Sequence, residues 1–179
     1  MNHHTHTTHV RPEPIPLTLP RSAGLIAKQS PIAGIGCFAA HAFKKGDIVG
    51  RYTGEVITEA ESLVRYGERE MTYLFDIGDG MYIDGDTHDS PEKYMNHSCE
   101  GNCESDSEGE KVWITALRDI AAGEEITYDY NLVVEADDED PYHCVCRART
   151  CRGTMKAPES LDDSEPGSAA SSATDEEDS

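Results

Sequence analysis

Glu124-Glu-Ile-Thr-Tyr-Asp-Tyr130 predicts a β-strand, because β-branched and aromatic residues follow an Ala-Ala-Gly-Glu turn at positions 121–124. Side chains at positions i and i+2 of a strand point to the same face of a sheet. Tyr128 and Tyr130 can therefore bring two hydroxyl groups into one pocket. Ordinary strand packing, with both hydroxyls at the surface, is the alternative that this stretch alone leaves open.

The chain around this stretch predicts several short strands and one helix. Thr58-Glu-Ala-Glu61 forms a capping box that opens a helix reaching to about Arg69. Gly78-Asp-Gly80 predicts the turn of a hairpin between Met71–Ile77 and Met81–Asp84. The other predicted strands are Gly24–Ala27, Ile35–Ala39, Ile48–Ile57, Lys111–Leu117 and Glu125–Tyr130. One helix among roughly seven short strands indicates a mostly β fold with small sheets and excludes a doubly wound nucleotide-binding fold.

Three cysteines close to one another predict a metal site. Cys144, Cys146 and Cys151 lie within eight residues, and thiols stay reduced inside cells, where such clusters bind zinc. A tetrahedral zinc ion needs a fourth ligand, which Cys99 or Cys103 can supply. A disulfide or free thiols are the alternative.

Two further motifs offer groups to a small ligand. Gly34-Ile-Gly36 allows close backbone approach or a positive φ, but it lacks the third glycine of a dinucleotide-binding turn. Asn96 and His97 can hydrogen-bond a polar ligand such as an amino acid or adenine. Taken alone, the first motif is better explained by a simple turn, and the second by a helix cap with a satisfied histidine.

The charge of the chain favours a basic partner. Asp and Glu number 35 against 15 Lys and Arg, for a net charge of −20. This disfavours direct nucleic-acid binding, which needs clustered cations, and suits a basic peptide or protein. The sequence has no apolar run of membrane-spanning length and no signal-peptide pattern at its start. We therefore expect an intracellular protein without membrane contact.

The two ends differ from the rest in composition. Residues 1–20 are rich in His, Thr and Pro, with four histidines in the first nine positions, and we expect a flexible leader. Residues 158–179 consist mainly of Ser, Ala, Asp and Glu. Such a segment has too few apolar residues to order itself, so we expect a disordered acidic tail.

Taken together, these motifs resemble SET-domain protein-lysine methyltransferases that carry a zinc-binding post-SET segment. The resemblance spans about residues 22–156 and rests on ordered motifs: Gly34-Ile-Gly-Cys-Phe38, Tyr52-Thr-Gly-Glu55, Tyr73-Leu-Phe-Asp76, Asn96-His-Ser-Cys99, Leu117-Arg-Asp-Ile120, Glu124–Tyr130 and the cysteines at 144, 146 and 151. It implies a SET domain at 21–134 and a post-SET zinc loop at 140–157. It also implies a pseudoknot, in which the segment with Tyr128 and Tyr130 passes beneath the loop near Asn96.

The resemblance further implies methyl transfer from S-adenosylmethionine to the ε-amine of lysine in a basic protein, with a histone tail as the expected substrate. The implied catalytic residues are Tyr130, Tyr52, Tyr128 and Tyr73. The implied cofactor-binding residues are Gly34, Ile35, Gly36, Cys37, Phe38, Tyr73, Asn96, His97, Tyr130 and Met155. The implied zinc ligands are Cys99, Cys144, Cys146 and Cys151.

Other interpretations and departures accompany this resemblance. A non-catalytic SET-like module that binds basic peptides is the alternative function. We expect a monomer, located in the cytoplasm or, in a eukaryote, the nucleus. Gly101 stands where the family usually has proline, which predicts a looser turn.

Overall fold

The computed structural model of the protein describes residues 21–67, 72–133 and 142–158, and within these ranges it is mostly β, as predicted. It has one α-helix, α1 (Glu59–Tyr66), and two 3-10 turns at Gly85–Thr87 and Pro91–Tyr94. The strands are β1 (Arg21–Ser22), β2 (Leu25–Gln29), β3 (Ile35–Ala39), β4 (Ile48–Tyr52), β5 (Glu55–Thr58), β6 (Leu74–Gly78), β7 (Met81–Asp84), β8 (Asn96–His97), β9 (Cys103–Glu108), β10 (Lys111–Ala116) and β11 (Glu125–Tyr128). The predicted leader, and the predicted acidic tail beyond Pro158, lie outside the described residues.

The strands form a large sheet and a small one. The large sheet has the order β1-β2-β3-β11-β9-β10-β4, with β8 also paired to β11, and the small sheet has the order β5-β7-β6. A core of buried apolar side chains joins the two sheets and includes Leu25, Ile83, Val112, Ile114 and Ile126. In the described part of the chain, no helix combines the length and apolar character needed to cross a membrane.

The predicted helix start is confirmed. The Thr58 hydroxyl accepts a hydrogen bond from the backbone of Glu61, and the Glu61 carboxylate accepts one from the backbone of Thr58. The helix ends at Tyr66 rather than near Arg69, because Gly67 takes a positive φ of 53° and its N–H closes on the Leu63 carbonyl.

Two strand predictions need correction. Ile48–Ile57 is not one strand, because the chain turns at Thr53 and Gly54 and divides it into β4 in the large sheet and β5 in the small sheet. Strand β9 was not predicted, because its sequence Cys-Glu-Ser-Asp-Ser-Glu has no apolar residue after Cys103. Pairing with all six residues of β10 holds it in place instead.

Strand β11 passes beneath the segment that holds Asn96 and Cys103, as the predicted pseudoknot requires. It runs parallel to β8 (Tyr128 opposite His97) and to β9 (Tyr128 opposite Cys103). The turn between these two contacts lies directly against β11. A β-carbon on Gly101 would stand 2.7 Å from the α-carbon of Tyr128. The structure therefore shows a closely packed turn, not the looser one expected from glycine.

Asn102 joins the two parallel contacts. Its side-chain amide donates to the Glu125 carbonyl at 2.7 Å and its side-chain oxygen accepts from the Thr127 N–H at 2.9 Å. Asn102 is only 2% exposed. Its side chain therefore pairs with the β11 backbone as the backbone of a neighbouring strand would. Sequence reasoning did not single it out, because its role depends on a strand 25 residues away.

Replacing Asn102 with alanine should destabilise the domain strongly. The change leaves the Thr127 N–H and the Glu125 carbonyl buried without partners, and each such group costs about 1–3 kcal/mol. We expect chemical denaturation to show a loss of at least about 2 kcal/mol in the free energy of unfolding. Ser107→Ala, at an exposed position of β9, is the control and should stay near wild type. A loss below about 0.5 kcal/mol for Asn102→Ala would show that the ladder holds without this side chain.

Candidate active site and metal centre

Four aromatic rings meet where β4, β6 and β11 face one another. The Phe75 ring packs 5.3 Å from that of Tyr52 and 6.2 Å from that of Tyr128, and the rings of Tyr128 and Tyr130 are 4.9 Å apart. Three of the four predicted catalytic tyrosines therefore share one cluster. The fourth, Tyr73, joins it through its backbone carbonyl, which accepts a 2.7 Å hydrogen bond from the Tyr52 hydroxyl.

The phenols of this cluster are neutral, and hydrogen bonds fix the hydroxyls of Tyr52 and Tyr130. The Tyr130 hydroxyl donates to the Met95 carbonyl at 2.7 Å, just as the Tyr52 hydroxyl donates to the Tyr73 carbonyl. Burial raises the pKa of Tyr52, Tyr128 and Tyr130 well above the ordinary value for a phenol. At neutral pH these groups thus act as oriented dipoles and not as proton-accepting bases.

Two neighbours of the tyrosines were missed by sequence reasoning. Phe75 lies inside the quoted Tyr-Leu-Phe-Asp motif, but only the structure shows that its ring sits between Tyr52 and Tyr128. Lys93 has a side chain that is only 9% exposed, and its ammonium lies 5.3 Å from the ring centres of Tyr73 and Tyr94. Asp86, 3.5 Å away, is its carboxylate neighbour. No sequence signal identified this buried cation.

Asn96 and Glu125 organise the glycine segment. The Asn96 side-chain amide donates to the carbonyls of Ala33 and Ile35 and to the Glu125 carboxylate. Gly36 has no side chain where that carboxylate lies, since a β-carbon there would overlap it. The Glu125 carboxylate therefore links Asn96 to the glycine segment, a role that sequence reasoning missed.

The predicted cofactor segment differs in exposure along its length. Gly34 has a φ of +44° and open space where a β-carbon would be, which fits a backbone that approaches a cofactor. Cys37 is fully buried, its pKa is raised by burial, and its strand pairs on both sides with β2 and β11. Phe38 pairs in the same way and its ring lies under the Lys28 ammonium. Contact of Cys37 and Phe38 with the cofactor stays a prediction.

His97 and Met155 both contact the segment that follows β11. His97 is buried, its Nδ1 accepts a hydrogen bond from the Tyr130 N–H at 3.1 Å, and its ring packs edge-on against the Tyr130 ring. Burial lowers the pKa of His97 and keeps the ring neutral. Met155 is half-buried, and its carbonyl accepts from the Leu132 N–H just beyond β11.

The four predicted zinc ligands converge. The Sγ atoms of Cys99, Cys144, Cys146 and Cys151 all lie within 4.8 Å of one another. The Sγ atom of Cys144 is 3.7 Å from that of Cys99 and 3.6 Å from that of Cys151. Four thiolates at about 2.3 Å from a tetrahedral zinc ion stand about 3.8 Å apart, so the residues present fit the metal.

The surroundings of the thiols also suit a metal. Burial acts to raise the pKa of Cys146. Hydrogen bonds from the Ala148 backbone and from neighbouring thiols outweigh this effect and lower that pKa to about 6. Backbone N–H groups of Arg152 and Gly153 point to the sulfurs of Cys99 and Cys151. Cys103, the other predicted choice for a fourth ligand, is 2% exposed and burial raises its pKa to about 12. It belongs to the core.

Polar side-chain contacts help to fasten the cysteine loop to the rest of the domain. Arg152 pairs with both carboxylate oxygens of Asp129, at 2.7 and 2.9 Å. Glu100 accepts hydrogen bonds from the backbone and hydroxyl of Thr150. The loop is therefore joined both to the tyrosine strand and to the turn above it.

Comparisons with known proteins agree with this architecture. Residues 34–131, more than half of the chain, match the SET domain family. The chain is 37% identical over 133 residues to an H3 lysine-4 specific histone-lysine N-methyltransferase of Mycosarcoma maydis, covering 69% of this chain and 9% of that protein. It is 36% identical over 132 residues to human histone-lysine N-methyltransferase 2B, covering 69% of this chain and 5% of that protein. The chain thus spans a small part of the length of these relatives.

Solved structures with the same fold include the polycomb repressive complex 2 of Chaetomium thermophilum, with a TM-score of 0.56, 29% identity, and 62% of this chain and 15% of that chain covered. A structure of ctPRC2 bound to S-adenosylmethionine matches with a TM-score of 0.56 and 29% identity, over 62% of this chain and 15% of that chain. With the knotted strand, the tyrosine cluster and the four thiols in place, the family match identifies this chain as a member of the SET domain family.

Proposed function

We propose that this chain is a protein-lysine N-methyltransferase that transfers a methyl group from S-adenosylmethionine to the ε-amine of a lysine in a histone tail. The observation that carries the proposal is the buried cluster of neutral phenols on a SET fold, next to the glycine segment and the cysteine loop. Relatives named as histone-lysine methyltransferases, and a structural neighbour with bound S-adenosylmethionine, support it.

The aromatic cluster provides what a lysine needs before methylation. A free lysine amine has a pKa near 10.4, so its neutral form is rare at neutral pH. Surroundings made of Tyr52, Phe75 and Tyr128 disfavour the ammonium form by desolvation.

The phenols then act by orientation. S-adenosylmethionine, when bound, supplies a methyl group attached to a positively charged sulfur. The Tyr130 hydroxyl is held by the Met95 carbonyl, so its oxygen lone pairs have a fixed direction and would help to orient a bound amine and cofactor. Catalysis by such a site comes from positioning and a preorganised dipole field. The amine's proton leaves to water, because the raised pKa values exclude the phenols as bases.

Among the predicted cofactor residues, we assign the binding role to Gly34, Ile35, Gly36, Tyr73, Asn96, His97, Tyr130 and Met155. The zinc ligands we assign are Cys99, Cys144, Cys146 and Cys151. The division into a SET domain at 21–134 and a zinc loop at 140–157 remains a prediction. So do the monomeric state and the intracellular location, and the structural neighbours belong to multi-subunit complexes.

A basic substrate suits the charge of the chain. With a net charge of −20, the protein attracts cationic peptides at long range. The alternative, a non-catalytic module that binds such peptides, would retain the attraction without the turnover. Incubating the protein with labelled S-adenosylmethionine and either core histones or a basic lysate, followed by mass-spectrometric site mapping, separates the two. Absence of label in every lysine of both samples would refute the proposal.

Zinc removal should abolish methyl transfer while the sheets persist. The cysteine loop has few apolar residues, and Val145 among them is 60% exposed, so metal binding must supply its folding energy. We expect chelation or Cys146→Ser to remove activity and zinc content with little change in the β signal of circular dichroism. Cys103→Ala, outside the thiol cluster, is the control and should keep its zinc. Full activity in protein verified as metal-free would contradict this.

Tyr130→Phe should reduce turnover far more than cofactor affinity. The variant keeps the ring and deletes only the hydroxyl that donates to Met95. Loss of one such oriented group typically lowers turnover about 100- to 1000-fold, and we expect that order. Tyr82→Phe in the small sheet is the matched control. Near-normal turnover in a folded Tyr130→Phe protein would move the central role to Tyr52.

Tyr128 should limit the number of methyl groups added. Its buried ring packs against those of Phe75 and Tyr130, and we expect its hydroxyl to occupy volume or to anchor a water that a second methyl would have to displace. We expect the wild type to make mainly monomethyl-lysine and Tyr128→Phe to make dimethyl-lysine at a similar first-step rate. Mass spectrometry of one peptide at matched turnover measures this. Abundant trimethylation by the wild type would overturn the assignment.

A further inference from the structure

His97 stands between the metal centre and the tyrosine strand and touches both. Its ring is 3% exposed. On one side Nδ1 lies 3.1 Å from the backbone nitrogen of Tyr130. On the other side Nε2 lies 3.3 Å from the Sγ atom of Cys99, one of the four clustered thiols.

The partners of the ring decide where its proton resides. A backbone N–H can only donate, so Nδ1 must present its lone pair to Tyr130. A neutral imidazole carries its single proton on the other nitrogen, so Nε2–H donates to the Cys99 sulfur. A thiolate accepts such a bond better than a thiol does, and zinc binding requires the thiolate form.

Asp129 is the group that could compete for the same ring nitrogen. Its Oδ1 atom lies 3.6 Å from Nδ1, beyond hydrogen-bonding distance. Both of its oxygens are already paired with the Arg152 guanidinium. Arg152 therefore keeps the carboxylate occupied and leaves Nδ1 to the Tyr130 N–H.

We infer that His97 is a positioning residue whose two ring nitrogens hold two different parts of the site, the Cys99 sulfur of the proposed zinc centre on one side and the Tyr130 backbone on the other. The same ring packs 5.3 Å from the Tyr130 ring, and the Tyr130 hydroxyl is fixed by Met95 at its far end. Tyr130 is thus held at its backbone, its ring and its hydroxyl, two of the three by His97. The catalytic meaning of this link rests on the proposed function, but the link itself does not.

Two substitutions separate the two ends of the link. The His97→Asn side chain is long enough to accept from the Tyr130 N–H but too short to reach Cys99. Zinc affinity should therefore fall about 10- to 100-fold, the usual effect of losing an outer partner of a metal ligand, while the Tyr130 amide stays protected from hydrogen exchange in zinc-saturated protein. The His97→Gln side chain can place a donor at Cys99 but offers Tyr130 no acceptor. Zinc affinity should then stay within a few-fold of wild type, while exchange at the Tyr130 amide becomes at least about tenfold faster.

Zinc affinity and amide exchange do not involve methyl transfer. The inference about His97 can therefore be wrong while the enzyme assignment is right, and the enzyme assignment can be wrong while the inference is right. Equal changes of both readouts in the two variants, or no change in either, would overturn this assignment of one ring nitrogen to each end. The wild type gives a further test that does not depend on the folding of variants. Nitrogen-15 spectroscopy of the zinc-loaded protein should show His97 protonated at Nε2, and a proton on Nδ1 would overturn the inference.

Discussion

The site depends on the parallel pairing of β11 with the segment that runs from Asn96 to Cys103. This pairing joins a strand to a turn about 25 residues earlier, and Asn102 seals it with two hydrogen bonds to the β11 backbone. Two parallel strands cannot be joined by a short hairpin. Here the buried side-chain hydrogen bonds of Asn102, and not a tight turn, hold the two segments in register. Tyr128 and His97 come to lie opposite each other for this reason.

The metal centre extends the same crossing. Cys99 belongs to the turn above β11, and the other three thiols come from the loop that follows the strand. A zinc ion that binds all four therefore ties both sides of the crossing together. The ion pair between Asp129 and Arg152 also connects the cysteine loop to the residue that directly follows β11. Because partly buried, bidentate pairs of this kind have a defined geometry, the loop is oriented as well as attached.

Local features of the fold could be predicted from the sequence, and features set by distant contacts could not. The capping box of Thr58 and the hairpin at Gly78–Gly80 depend on residues a few positions apart, and both predictions are confirmed. Strand β9 owes its conformation to its partner β10, so its polar sequence gave no signal. The roles of Glu125 and Phe75 likewise arise only when β3, β4 and β6 meet β11. The clustering of Cys144, Cys146 and Cys151 was predictable because few other functions explain such spacing, whereas the spacing left the fourth ligand open between Cys99 and Cys103.

The proposed function places opposite demands on the charge of a substrate lysine outside and inside the domain. Under that proposal, the net charge of −20 attracts an approaching ammonium group, while desolvation in the aromatic cluster disfavours the ammonium form once it is buried. A substrate lysine would therefore lose its proton more readily in the cluster than in water, and the proposed reaction would need no protein base to take it. The three phenols, all neutral with raised pKa values, are suited to such a reaction because orientation of the amine, and not proton abstraction, is what it would ask of them.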